Sequence, residues 1–234
     1  MIRFDQVSKT YPAGNTVLSN IKFHIRPGEF VVITGHSGAG KTTLARLLIK
    51  DIEPTEGSIF IDGDDLSNLK NRDLPSLRKK VAVIFQDYKI IPDKTIAENI
   101  NLALNIIGLP KDEIESRIEH LLNLVEIEDK KDLFPVQLSG GELQRAAIAR
   151  ALALDPQIIF ADEPTGNLDD QTAQQILSLL QKINQNNTTV LVATHNLEFA
   201  HKADRHIKIN KGKIEEDSKK EAKKKQNKPK KDKK

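Results

Sequence analysis

The chain has 234 residues, 38% of them hydrophobic and 29% charged, enough for one domain with a sizeable core. It contains no cysteine, which excludes disulfides and thiolate–metal sites, and no apolar run nears the roughly 20 residues that span a bilayer. The net charge of +3 conceals a division, because residues 219–234 hold ten Lys against Glu221 and Asp232, so the remainder of the chain is net −5.

The opening "MIRFDQVSKTYP" lacks the basic-then-apolar pattern of an export signal. "MIRFDQV" and "SNIKFHI" alternate apolar and polar residues, the pattern of antiparallel edge strands. "EFVVITG" (29–35) is a short continuous apolar run ending in glycine, as a buried parallel strand would be. The spacing of Leu44, Leu47 and Leu48 then predicts a helix over "KTTLARLLIKDI". "GSIFIDG" reads as a strand between glycines, and "KKVAVIFQD" (79–87) as a buried strand ending at a polar pair.

A lobe of helical character follows. In "KDEIESRIEHLLNLVEI" the residues Ile114, Ile118, Leu121, Leu122 and Val125 form one apolar stripe. The lobe runs on through "LSGGE" and "RAAIARALAL", which Pro156 ends. "QIIFADE" (157–163) and "TTVLVATH" (188–195) are buried-strand runs separated by the helix "DDQTAQQILSLLQKINQ". Strands alternating with helices predict an α/β fold with a mainly parallel sheet, into which the helical lobe is inserted. The tail shows no apolar periodicity and reads as disordered from 218 to 234.

"GHSGAGKT", Gly35 to Thr42, has the G-x-x-x-x-G-K-[ST] form between a strand and a helix. Glycines there let backbone N–H groups turn toward phosphate oxygens, and the helix N-terminus adds its positive dipole end. Lys41 would reach the β- and γ-phosphates, Thr42 would ligate Mg²⁺, and Thr43 would touch the α-phosphate. His36, Ser37, Gly38, Ala39 and Gly40 complete the loop, with His36 read as a surface side chain. A nucleotide-bound Mg²⁺ needs a carboxylate at a neighbouring strand end, and "IIFADE" offers Asp162 for the metal and Glu163 to polarise water. A second anion site stands a hundred residues later, where Ser139, Gly140 and Gly141 open an Ala/Ile/Leu-rich helix.

The phosphate loop, "LSGGE" and "IIFADE", in this order, resemble the nucleotide-binding subunit of an ABC-type ATPase over about residues 1–217. The resemblance implies a P-loop NTPase core of 1–88 and 153–217, carrying an N-terminal antiparallel β subdomain, and a helical subdomain of 89–152. It further implies a head-to-tail homodimer in which Ser139, Gly140 and Gly141 grip the γ-phosphate of the nucleotide held by the other copy. ATP and Mg²⁺ are the implied ligands. Gln86 resembles the glutamine that senses the metal and the attacking water, and His195 the switch histidine at the γ-phosphate. Tyr11 resembles the aromatic that stacks on adenine, with a packing role open beside it. Asp169, in "NLD", resembles the aspartate that crosses the dimer interface.

The segment 74–100, with its wording "FQDYKIIPDKT", resembles the cell-division branch of the family, which works with an integral membrane partner at the cytoplasmic face of the cell membrane. The runner-up is the lipoprotein-release and macrolide-export branch. A small-molecule kinase would share the phosphate loop but leave "LSGGE" unexplained. A DNA-handling ABC ATPase would carry a coiled-coil insertion or a second cassette, absent here, so no specific nucleic-acid partner is expected. The tail is read either as a solubilising end or as a contact with an anionic membrane surface, worth about 1 kcal/mol per basic residue near it.

Overall fold

The computed structural model describes residues 1–12 and 14–219. The chain opens with β1 (Ile2–Thr10) and β2 (Thr16–Ile25), paired antiparallel. Ile2 and Phe4 turn inward at the strand period of two, and a bulge at Gln6 (φ 54°) moves the next inward position to Val7. After β3 (Phe30–Thr34) and α1 (Lys41–Leu48), β4 (Glu56–Ile61) and the short β5 (Asp64–Asp65) join the first pair in the order β2-β1-β4-β5. The expectation of two edge strands holds for β2 alone. β1 lies inside, because β4 takes up its second row of amides and carbonyls.

The remaining elements are α2 (Leu74–Lys80), β6 (Val81–Ile84), α3 (Ile96–Ile106), α4 (Lys111–Leu124), α5 (Gly140–Leu152), β7 (Ile158–Asp162), α6 (Asp170–Asn184), β8 (Thr189–Thr194), β9 (Arg205–Asn210) and β10 (Lys213–Lys219). A six-stranded sheet runs β10-β9-β3-β8-β7-β6, with only β10 antiparallel to its neighbour. Its middle strands are continuous apolar runs because both faces are covered. Val31, Ile33, Leu191, Ala193, Ile158 and Phe160 face α1 and the antiparallel sheet. Phe30, Val32, Val190, Val192, Ile159 and Ala161 face the helical side, α3 to α6. Each such Val, Ile or Leu contributes about 1.5–3 kcal/mol by leaving water.

α4 buries the expected stripe through Ile118, Leu121 and Leu122, with Val125 buried just past its end and Ile114 half-buried. α3 begins at a reciprocal cap, in which Thr95 and Glu98 each bond the other's backbone N–H. α1 stops at Leu48, short of the expected Ile52, because Lys50 turns left-handed (φ 49°) and breaks the helical ladder. The strand expected over 79–87 is only Val81–Ile84, since Lys79 and Lys80 close α2. β9 and β10 had no counterpart in the sequence reading. Ser218 and Lys219, placed in the tail, pair with His206 and Arg205 in β10, and residues 220–234 lie outside the described residues. Among the described residues no helix is long and apolar enough to cross a membrane.

The parallel strands β3, β8, β7 and β6 all run the same way, so their C-terminal ends open on one rim. Gly35, His195, Glu163 and Gln86 all lie just beyond those ends, the place where open α/β sheets bind ligands.

Candidate active site

α1 starts without a side-chain cap. Its N-cap is Gly40 at φ 104°, and no acidic residue lies in its first turn, so the first amides point into the loop unpaired by any carboxylate. Glycine is required at Gly40 on two counts, the positive φ and the side chain of Leu18 packed against its Cα. Gly35 is equally closed, because a methyl there would stand 2.5 Å from the carbonyl oxygen of Ile209. His36, Ser37, Gly38 and Thr42 line the exposed side of the loop, while Ala39 and Thr43 are buried beneath it.

Lys41 is only 5% exposed, and its ammonium donates to the carbonyl oxygens of Gly35 (2.6 Å) and His36 (3.0 Å). Its third neighbour is Glu163 Oε1 at 3.2 Å. Glu163 itself has φ 48°, a left-handed conformation that turns its side chain away from Asp162 and back toward the loop. Its other oxygen, Oε2, accepts from the His195 backbone N–H (3.3 Å) and lies 3.0 Å from His195 Nδ1. A cation, a carboxylate and an imidazole thus meet over the phosphate loop.

Asp162, at 4% exposure, ends β7, and its Oδ1 has no hydrogen-bond partner among the described residues. Desolvation raises its carboxyl above the usual range. A bond from the Thr42 hydroxyl opposes that shift, the Glu163 charge adds to it, and the Lys41 charge opposes it. A buried carboxylate oxygen left open beside a threonine hydroxyl fits a hard cation such as Mg²⁺, which takes oxygen ligands and keeps the rest of its shell for phosphate and water. Among the described residues no group of three His, Cys, Asp or Glu is placed to hold a metal ion.

Ser139 and its glycines are not part of this group. A methyl on Gly140 would meet Leu168 and Tyr88, and one on Gly141 would meet Thr172, so the segment packs on the α6 entrance and on the chain after β6. Ser139 caps α5 in a reciprocal pair with Glu142, accepting from its backbone N–H at 3.4 Å and donating to its carboxylate at 2.7 Å. The Ser139 hydroxyl, then its backbone N–H, hold Glu142 below the usual carboxylate range. Asp169 likewise caps α6, accepting from the Thr172 N–H and hydroxyl at 3.0 and 2.6 Å. Gln86 is exposed, with Nε2 3.5 Å from Asn167 Oδ1. Tyr11 is half-buried, its ring 5.5 Å from Lys9 Nζ and its hydroxyl beside Arg46 of α1.

The structure therefore joins Lys41, Thr42, Asp162, Glu163 and His195 in one site, sets Gln86 near Asn167, and leaves Ser139, Gly140, Gly141 and Asp169 on a separate surface. Sequence reasoning overlooked Glu142, although S-x-x-E before a helix is a legible capping signal. It also overlooked Arg150, whose guanidinium reaches the turn after Gln86 and for which no local pattern exists.

These features are those of the ABC transporter family, to which the chain belongs, the family's domain matching residues 18–166. The chain is an ATPase of the ABC type. It is 45% identical over 199 residues to the cell division ATP-binding protein FtsE of Escherichia coli (strain K12), covering 85% of this chain and 90% of that protein. FtsE of Bacillus subtilis (strain 168) is 42% identical over 207 residues, with 88% and 91% covered. Among solved structures it is similar to a dimeric, post-hydrolysis state of the ATP-binding cassette MJ0796 bound to ADP and Pi, with a TM-score of 0.86 and 37% identity over 94% of this chain and 98% of that one.

Proposed function

We propose that the chain is the FtsE-like ATPase of a cell-division complex, acting as a head-to-tail homodimer on an FtsX-like integral membrane protein. The observation that carries this reading is the 45% and 42% identity to cell division ATP-binding proteins of two distant bacteria. The FtsX-like partner, switched by dimer closure, would in turn activate a cell-wall hydrolase outside the membrane.

In this reading the backbone of 35–41 and the ammonium of Lys41 hold the β- and γ-phosphates, Thr43 approaches the α-phosphate, and Tyr11 packs on the adenine. Thr42, Asp162 and Gln86 hold Mg²⁺, which when bound neutralises charge on the phosphate oxygens. Glu163 orients and polarises the attacking water, and His195 contacts the γ-phosphate from the rim of β8. Ser139, Gly140 and Gly141 complete the site of the other copy through the bare first amides of α5, and Asp169 lies at the same interface. A signature segment that packs on Tyr88, Leu168 and Thr172 supports two half-sites per chain.

The membrane partner would enter an apolar groove of about 710 Å³ whose walls include Ile84, Phe85, Leu102 and Ile106. Ile106 is 78% exposed, an apolar side chain left uncovered among the described residues. The helical subdomain 89–152 forms one wall and the core the other, so closure of the dimer would change the groove. The chain then works as a peripheral protein on the cytoplasmic face, with the Lys-rich tail adding adhesion to anionic lipid. The test is affinity capture of tagged Glu163→Gln, with ATP, from detergent-solubilised membranes. Recovery of an FtsX-like protein supports the reading. Recovery of an exporter permease would replace it with the transport branch.

A further inference from the structure

Two residues beyond Gln86 the backbone places two successive non-glycine residues, Tyr88 (φ 60°) and Lys89 (φ 52°), in the left-handed region. Such a pair persists only where the surroundings hold it. The holder is Arg150, in the last turn of α5, whose guanidinium donates to the carbonyl oxygens of Lys89 at 2.7 Å and Tyr88 at 3.1 Å. Burial pushes the Arg150 guanidinium down from its ordinary range, as expected of a cation spending its donors on neutral carbonyls. The fork geometry of arginine is what lets one side chain satisfy two carbonyls in a row.

The same turn also reaches the opposite end of α5. A methyl on Gly140 would stand 3.2 Å from the Tyr88 hydroxyl and 3.2 Å from Leu168 Cδ2, so the phenol lies over the first residue of the helix. Gly140 and Arg150 are about 15 Å apart along the axis. One two-residue turn thus touches both ends of the helix, through a backbone clamp at one and a phenol hydroxyl at the other. On its outer side the turn borders the apolar groove, which Tyr88 and Arg150 both line. On its inner side Gln86 packs against Gly166.

We infer that Tyr88 and Arg150 are positioning residues that lock the 86–89 turn to α5, so that the turn and the Ser139–Gly141 segment move as one body. The consequence for turnover rests on the proposed composite site, in which Ser139–Gly141 serves the nucleotide of the other copy. The turn belongs to its own nucleotide through Gln86, the helix N-terminus belongs to its neighbour's, and the groove lies beside the lock. A displacement begun in the groove reaches both nucleotides through rigid covalent and hydrogen-bonded links rather than through a mobile loop.

Two variants break the lock at either end. Tyr88→Leu keeps apolar packing but is too short to reach Gly140, and Arg150→Lys keeps the charge but cannot fork to two carbonyls. Tyr88→Phe removes only the hydroxyl that reaches Gly140 and serves as the intermediate case. Amide hydrogen exchange of the full chain should quicken at residues 139–142 by about fivefold or more in both breaking variants, with residues 36–43 unchanged and Tyr88→Phe between the parent and Tyr88→Leu. In a Glu163→Gln background, Tyr88→Leu should raise the ATP concentration for half-maximal dimer closure about tenfold while leaving nucleotide affinity of the monomer as it was. Unchanged exchange at 139–142 in both breaking variants overturns the lock. If Glu163→Gln itself does not dimerise with ATP, the composite-site reading falls, and the exchange result still decides the lock.

Discussion

The carboxylate of Glu163 stands 3.2 Å from the ammonium of Lys41. Lys41 is buried among backbone carbonyls, so a carboxylate at this distance supplies the countercharge that phosphate would otherwise bring. In the proposed reading a phosphate entering the loop would take over Lys41 and leave Glu163 free to face water. Glu163→Gln keeps a hydrogen-bond acceptor for Lys41 but has no basic oxygen. Hydrolysis should fall by about 10²- to 10⁴-fold while ATP still binds, and light scattering should show ATP-dependent dimers. Phosphate release within tenfold of the parent would remove Glu163 from the role of base.

Asp162 carries a different expectation, because its carboxyl is buried with Oδ1 open. Its carboxyl titrates above the usual range, so its charged form is penalised more in the folded chain than in the unfolded one. A raised carboxylate pKa makes the folded state bind protons more tightly, and stability declines as pH rises through the unfolded and then the folded pKa. Asp162→Asn removes that penalty. The nucleotide-free variant should melt a few degrees higher near neutral pH, an effect of about 1 kcal/mol, and lose Mg²⁺-dependent hydrolysis. A lower melting point without nucleotide would mean that Thr42 and Lys41 together outweigh desolvation.

Much of this architecture is legible in the chain because its causes are local. Residues 30–34, 158–162 and 189–194 are mostly apolar without alternation and buried at every position, since the strands they form are covered on both faces. The glycines at 35 and 40 lie where the backbone needs them. β9 and β10 were illegible because His206, Lys208 and a run of Glu and Asp interrupt Ile207, Ile209 and Ile214, and their pairing is with distant β3 and with each other. The edge placement of β1 failed for the same reason, since its second partner, β4, lies some fifty residues away. At the site, the motifs name the residues but not their partners. Nothing in "IIFADE" announces that Glu163 rests on Lys41, and nothing in "ARAL" that Arg150 holds the carbonyls of Tyr88 and Lys89.

The two glycines of the α5 entrance have unequal room. A methyl on Gly141 would stand 2.6 Å from Thr172 Cγ2, closer than real carbon contacts, whereas one on Gly140 would stand 3.2 Å from its neighbours. Thr172 is not free to retreat, because its hydroxyl and N–H both bond Asp169 at the α6 cap. Gly141→Ala should therefore cost about 1–3 kcal/mol by overpacking. Thr172→Ser removes the offending methyl but keeps the capping hydroxyl, and the double variant should recover most of the loss. Denaturant midpoints of the four chains complete the cycle, and no recovery would place the strain elsewhere.

Arg205 ties the C-terminal strand to the body. Its guanidinium forks to both oxygens of Asp217 at 2.6 Å, lies 3.6 Å from Glu29, and donates to the His24 carbonyl in the antiparallel sheet. The Asp217 hydrogen bond, against desolvation, raises the Arg205 guanidinium further above its already high range. Breaking a fully buried pair costs about 3–5 kcal/mol, and Asp217 is one-third exposed, so a loss of about 2–3 kcal/mol is expected when it is removed. Ending the chain after Lys219 should leave the melting temperature and ATPase rate unchanged, because β10 and this pair survive. Ending it after Glu216 should lower the melting temperature by several degrees, since Arg205 keeps its burial but loses its fork. The chain ending after Lys219 also isolates the lysines of 220–234. Loss of binding to vesicles of anionic lipid at low salt, with hydrolysis intact, is expected if they adhere to a membrane surface, and unchanged binding would leave them a solubilising role.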